Sequence, residues 1–192
     1  MTSLRYIGLK WRAMTWLVVG RTAPALRVFN LMLLRWPDDA YALGSRAHIL
    51  AQQGLTTEAL ADMQRLTQAH PENARHWFNL GFMLEEAQRW DEALVAFTRS
   101  TQISPQLDRA WYGCGLVLIR LKRYDEAVLA LKRNTELQPL SPFGWYQLAR
   151  VHVDRRDPAA AVKIIRHLKG FEPKVAAQLE RETGLQANVA GT

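Results

Sequence analysis

The chain holds a single cysteine, Cys114, so it can form neither an internal disulfide nor a cysteine-clustered zinc site. That thiol lies in mid-chain, so a lipid anchor on a cysteine near the start is not expected and a reducing compartment is the simplest home. Glycines form no cluster that could cradle a phosphate, and the five histidines fall in no HExxH or related ligand spacing. Long hydrophobic runs are missing too. The N-terminal segment is apolar and basic, but its longest uncharged run, Ala13 to Gly20, is far too short to cross a bilayer, and no A-x-A cleavage pattern follows. That segment is therefore expected to belong to the mature fold.

What is present is a repeat. With 48% hydrophobic and 22% charged residues the chain has a folded composition. Five of its eight prolines, Pro37, Pro71, Pro105, Pro139 and Pro173, stand 34 residues apart. At a proline frequency of about 5%, four in-phase successors have odds on the order of 1 in 100,000. Other positions keep the same phase. In units 40–73, 74–107, 108–141 and 142–175, the fourth place holds Leu43, Trp77, Trp111 and Trp145, and the eighth is small, as Ala47, Gly81, Gly115 and Ala149. The twentieth is Ala59, Ala93, Ala127 and Ala161, and the twenty-fourth is large and apolar, as Met63, Phe97, Leu131 and Ile165.

Apolar residues three and four apart, such as Trp77, Leu80, Gly81 and Leu84, mark one amphipathic helix, and Ala93, Leu94 and Phe97 mark a second. Small residues at the eighth and twentieth places let two helix axes approach to roughly 8–10 Å. The proline ends or follows the second helix, because its ring removes a donor and disfavours helix just before it.

These residues resemble the tetratricopeptide repeat family, whose 34-residue pattern of Trp, Leu, Gly, Tyr, Ala, Phe and Pro is matched best by WFNLGFMLEEAQRWDEALVAFTRSTQISP and WYGCGLVLIRLKRYDEAVLALKRNTELQP. The resemblance covers residues 40–175 and implies an all-α fold: an α-solenoid of helix-turn-helix repeats, four of them clear. Two departures concern local packing. The usually small twenty-seventh place holds Leu66, Ser100, Asn134 and Leu168, and the last repeat opens its second helix at Asp157-Pro158. Residues 1–39 fit the phase weakly through Ala13, Ala25, Phe29 and Pro37, although Arg12 falls where a buried apolar side chain is expected; they read as a degenerate N-terminal helical pair that caps the solenoid. PKVAAQLERETG reads as a C-terminal solvating helix ending over 176–184, with Val175 and Leu179 inward and Glu180, Arg181 and Glu182 outward, followed by a flexible tail over 185–192.

Little here suggests chemistry. The near-copies RWDEALVAF and RYDEAVLAL carry Asp91, Glu92, Asp125 and Glu126 at the starts of second helices, where negative side chains are favoured by the helix dipole. No His, Lys or glycine-rich loop completes a site around them. His48 and His152 read as groove or packing residues, Cys114 as a small hydrophobe, and Trp77, Trp111 and Trp145 as packing rather than stacking platforms. No cofactor, no metal and no enzymatic activity are expected.

The resemblance implies a concave groove lined by the first helix of each repeat. Carried over residue by residue, it is lined by Tyr41, His48 and Gln52, then Arg75, Phe78, Phe82, Glu85 and Glu86, then Arg109, Tyr112, Leu116, Ile119 and Arg120, and finally Phe143, Tyr146, Arg150, Val153 and Asp154. Phe78, Phe82, Tyr112, Leu116, Phe143 and Tyr146 are large side chains off the packing positions, rimmed by Arg75, Arg109, Arg120 and Arg150, as a partner site would be. The expected partner is a protein segment with apolar anchors and some acids. Asn79 and Arg109 match two elements of the family's carboxylate clamp, but Gly44, His48 and Gly113 stand where other elements belong, so a chaperone tail is not expected.

The net charge is +7, and residues 1–39 hold six basic and two acidic side chains, a net +4. Nucleic acid is disfavoured for want of a clustered basic stripe with free aromatics. A membrane surface or membrane protein is the stronger rival: Lys10, Trp11, Arg12, Trp16 and Arg21, with neighbouring leucines and valines, resemble a surface-lying amphipathic segment. The alternatives for that segment are a cap and a homodimer contact. The reading is a noncatalytic interaction scaffold, adaptor or assembly factor, cytoplasmic or peripheral at the inner membrane of a bacterial cell.

Overall fold

A computed structural model describes residues 4–187, and these form eleven α-helices and no strand. In chain order they are α1 (Leu4–Val18), α2 (Thr22–Arg35), α3 (Ala40–Gln52), α4 (Thr56–Ala69), α5 (Ala74–Glu86), α6 (Trp90–Ile103), α7 (Asp108–Arg120), α8 (Tyr124–Leu137), α9 (Pro142–Asp154), α10 (Pro158–Lys169) and α11 (Pro173–Thr183). Each packs on the one before and the one after, and odd helices also touch successive odd helices from α5 to α11. This is a helix-pair solenoid.

The closeness of the helices comes from the small positions. Ala47, Ala93, Ala127, Ala149 and Ala161 are fully buried. A methyl group built on Gly81 would stand 2.7 Å from the Phe97 ring, one on Gly113 would meet the same ring at 2.7 Å, and one on Gly115 would stand 2.6 Å from Leu131. Phe97 of α6 thus fills a slot that exists only because α5 and α7 both present bare backbone to it. The larger residues at the twenty-seventh place are absorbed in kind. Ser100 Oγ donates to the Ala74 carbonyl (2.8 Å) and Asn134 Nδ2 to the Asp108 carbonyl (3.0 Å), satisfying groups at the starts of α5 and α7. Asn134 fits because residue 144 is glycine: a methyl there would lie 2.1 Å from its Oδ1.

The turns repeat as well. Gly20, Gly54, Gln88, Lys122 and Arg156, each 34 residues after the last, all take positive φ (58–77°). The following amide donates back five residues, as from Arg89 to Leu84 and from Arg123 to Leu118 (both 2.9 Å), closing the helix end. Only the first two turns have glycine, so the other three hold a side chain in the left-handed region at roughly 1–2 kcal/mol each. Between repeats, the indole N–H of Trp77, Trp111 and Trp145 donates to the carbonyl of Pro71, Pro105 and Pro139 at 2.8, 3.0 and 2.9 Å. The phased tryptophan and proline are therefore one device. Pro173 differs, opening α11 instead of following α10.

Within the N-terminal segment α1 and α2 form a helix pair, and Ala13, Ala25 and Phe29 are fully buried in it. Arg12 is exposed; the equivalent Leu80, Cys114 and Leu148 are buried, while Arg46 is held by Asp62 at 2.6 Å and reaches Asn30 at 2.7 Å. Tyr6 ties the pair to the first clear repeat. Its hydroxyl donates to Asp39 (2.8 Å), the N-cap of α3, and burial followed by that carboxylate pushes its pKa up to about 12. At the other end Leu179 is buried as expected and Val175 half-buried. Glu180 points less outward than its sequence position suggests: its Oε1 accepts from Lys169 and from the Ala187 amide, both at 2.8 Å, and Lys169 also donates to the Ala187 carbonyl. Ala187 is thereby fully buried, so residues 185–187 are held on the solenoid; 188–192 of the expected tail lie outside the described residues.

The glycine contacts make a paired prediction for urea unfolding followed by circular dichroism. Gly115→Ala should lower stability by about 1–3 kcal/mol through overpacking against Leu131. Gly44→Ala, whose new methyl would meet Leu66 at an ordinary 3.6 Å, should be neutral or stabilising by up to ~1 kcal/mol.

Candidate protein-binding face

The residues left free by repeat packing lie in rows along the odd helices. Every 34 residues the same helical places recur, so Tyr41, Arg75, Arg109 and Phe143 form one row, Gly44, Phe78, Tyr112 and Tyr146 a second, and His48, Phe82, Leu116 and Arg150 a third. Between α3 and α5 the face sinks into a depression of about 360 Å³ lined by His48, Gln52, Asn79, Phe82 and Glu86 among others. A second, of about 300 Å³, lies among α7, α9 and α11 and is walled by Tyr112, Phe143, Tyr146, Gln147 and Val175. A third, of about 440 Å³, brings Arg109 beside Tyr112 and Phe143.

Within this face the expected residues separate. Phe82 and Phe143 are 48% and 69% exposed, too much for repeat packing. Phe78 is half-buried, its ring tilted over Phe97 at 5.8 Å, and Tyr112, Leu116 and Tyr146 are half-buried too. The four arginines also divide. Arg75 and Arg109 are exposed, and among the described residues neither makes an ion pair. Arg120 lies 5.9 Å above the Trp90 ring and near Glu85, whose carboxyl burial pushes up in pKa. Arg150 is held by the Tyr146 hydroxyl (3.2 Å) and Glu182 (3.4 Å), and Tyr146 donates to Glu182 at 2.6 Å. The hydrogen bond from Tyr146, then one from Gln178 (2.8 Å), and the nearby charge of Arg150 hold Glu182 below the usual carboxylate range. Arg120 and Arg150 are thus offset by the chain's own acids, and the rim is reduced to Arg75 and Arg109. Asn79 is exposed in the depression between α3 and α5.

The row also extends further than the sequence reading took it. Ile7, Trp11, Met14 and Val18 of α1 stand 34 residues before Tyr41, Ser45, His48 and Gln52, and all four are exposed. Simple subtraction of one period would have found them. Among the expected N-terminal residues, Trp11, Arg12 and Arg21 are exposed, whereas Trp16 turns against the core and the Lys10 ammonium lies 4.8 Å above the Tyr41 ring.

The groups that might have carried chemistry are otherwise engaged. Glu92 pairs with Arg89 (2.6 Å), Glu126 with Arg123 (2.7 Å) and Asp125 with Arg155 (2.5 Å). Cys114 is buried and its thiol is pushed up to about 11 by desolvation. His48 is exposed on the groove face beside Gln52, while His152 is buried against Asp157, the N-cap of α10. Among the described residues no group of three or more His, Cys, Asp or Glu could hold a metal ion, and no helix is long and apolar enough to cross a membrane.

Comparison with known proteins agrees with this architecture. Residues 45–108 and 108–139 each match a family described as tetratricopeptide repeat. No curated protein matches the chain. Among solved structures, a tetratricopeptide repeat protein from Parabacteroides merdae is similar at 19% identity and a TM-score of 0.82, over 95% of this chain and 75% of that one. MamA from Desulfovibrio magneticus is similar at 18% identity and 0.78, over 95% and 98% of the two chains. YrrB, a protein of the same repeat type with an unusual peptide-binding site, is similar at 18% identity and 0.77, over 88% of each.

The histidines generate a pH prediction. Burial holds His152 below its ordinary 6.5, against the opposing pull of Asp157, and burial together with His70 does the same to His76. A histidine whose pKa is lower folded than unfolded contributes stability that is complete above 6.5 and is lost as pH falls below it. The urea midpoint should therefore drop between neutrality and about pH 5, before the depressed carboxylates titrate. The drop should shrink in His76→Phe, which also removes the buried, unpartnered His76 Nδ1.

Proposed function

Since the chain is a tetratricopeptide repeat protein, we propose that it is a noncatalytic scaffold, an adaptor or assembly factor, that holds a protein segment on the face of its odd helices. The observation that carries this reading is the combination of Phe82 and Phe143, large and exposed beside depressions, with Arg75 and Arg109, adjacent cations without an internal acid. A fold that buries Phe97 completely has no packing reason to leave two phenylalanines in water. Apolar side chains of a partner would be desolvated against Phe82, Phe143 and the Tyr112 wall, and its acids would meet the two guanidinium groups. Neighbouring helices pack at roughly 8–10 Å, so two acids about three residues apart in an extended segment would span Arg75 and Arg109. The peptide-binding site of the structural neighbour YrrB supports the same use of the fold.

Both anchors can be changed without touching the core, which makes the test clean. Phe82→Glu with Phe143→Glu, and separately Arg75→Glu with Arg109→Glu, should each lose the proteins that the wild-type chain retains in affinity capture. Hot-spot aromatics contribute about 2 kcal/mol or more, so the loss should be at least roughly thirtyfold. Retention of the same proteins by both variants, with helicity unchanged, would overturn the groove reading.

A further inference from the structure

Helix α1 is apolar on two sides. Tyr6, Leu9, Ala13, Trp16 and Leu17 turn toward the core, while Leu4, Ile7, Trp11, Met14 and Val18 turn to solvent. Of the second set, Leu4 is 87%, Trp11 64% and Val18 86% exposed. Spaced three and four residues apart, these five form one straight stripe that runs about 21 Å along the helix and covers about 80° of its circumference. Val19, also exposed, continues it into the turn. No later odd helix has such a stripe, because the places of Ile7, Trp11, Met14 and Val18 hold at least one charged or hydrogen-bonding side chain in each: Gln52 in α3, Glu86 in α5, Arg120 in α7 and Asp154 in α9.

The sequence that builds α1 and α2 is charged with one sign. Residues 1–37 contain six basic side chains, Arg5, Lys10, Arg12, Arg21, Arg27 and Arg35, and no acid. On the helical wheel Lys10 borders one side of the stripe, Arg5 and Arg12 stand beyond its other side, and Arg21 lies past the turn.

We propose that α1 is a membrane-contact helix that lies in the interface of an anionic bilayer, with Leu4, Ile7, Trp11, Met14 and Val18 in the acyl boundary and the flanking basic residues at the lipid phosphates. A stripe along one helix calls for an occupant that runs parallel to it, whereas a segment crossing the odd helices would meet one or two residues on each. A second copy of α1 would bring the same apolar stripe but also the same cations, and their like charges would oppose the contact. An anionic lipid surface takes both features: tryptophan and aliphatic residues enter the boundary, and arginines reach the phosphates. The surface is the N-terminal end of the odd-helix row and leaves Phe82 and Phe143 uncovered, so attachment and partner capture would operate together.

The test is vesicle flotation of the full chain with phosphatidylcholine alone and with phosphatidylglycerol added. The protein should float with the anionic vesicles, weakly with the neutral ones, and less as salt is raised. Each basic residue near the surface strengthens binding roughly fivefold, so Arg12→Glu with Arg21→Glu should weaken it at least about twenty-five-fold, and further because each substitution reverses the charge. Trp11→Glu with Val18→Glu should reduce it at least roughly tenfold. All four positions are exposed, and unchanged circular dichroism would verify folding. Phe82→Glu with Phe143→Glu should float like wild type, which separates failure of this proposal from failure of the groove reading. Equal flotation with neutral vesicles, or none with anionic ones, would overturn it. So would a dimer in light scattering that Trp11→Glu converts to monomer, since the stripe would then be a self-contact.

Discussion

Everything in this molecule depends on how closely its helices approach. Phe97 occupies space that methyl groups on Gly81 and Gly113 would fill, and Leu131 does the same against Gly115. The fully buried alanines at the other crossing points complete the arrangement. Helices held at that separation bury one side of each pair continuously, so the core runs from Ala13 of α1 to Leu179 of α11 without a break. The recurrent left-handed turn and the tryptophan-to-proline hydrogen bond then set the direction in which each new pair leaves the last.

A consequence is that the odd-helix face is free to vary. Repeat packing uses the fourth, seventh, eighth, twentieth, twenty-fourth and twenty-seventh places, and exposed places such as those of Phe82 and Phe143 take no part in it. That freedom explains how one architecture carries different surfaces along its length: an apolar stripe at α1, a depression of mixed lining between α3 and α5, and an aromatic wall among α7, α9 and α11. Acidic pairs such as Asp91 and Glu92 belong instead to the recurring part of the sequence. They stand at helix starts beside arginines that pair with them or with their counterparts.

The fold was legible in the sequence because its causes are periodic: proline, tryptophan, glycine and alanine recur for packing reasons that act locally. The surface was less so. Nothing near Arg150 in sequence reveals that Glu182, thirty-two residues on, would occupy it, because that pairing depends on how α11 folds against α9. Phe78 carries no local sign that it leans on Phe97 while Phe82, one helical turn later, stays in water. Gln88, Lys122 and Arg156 adopt a backbone conformation that composition would assign to glycine, imposed by the helix-end hydrogen bonds on either side. The α1 stripe, by contrast, was readable from phase alone once residues 1–39 are taken as a repeat rather than as a cap.

The central claim is that function resides on the odd-helix face, and site-specific photo-crosslinking tests it most directly. A photoreactive amino acid placed at position 82, or at the still more accessible position 95 on α6, preserves the repeat packing in both cases because Phe82 and Val95 are exposed. Crosslinks to a discrete protein from position 82 and none from position 95 are the predicted result. Crosslinks from 95 and none from 82 would contradict it.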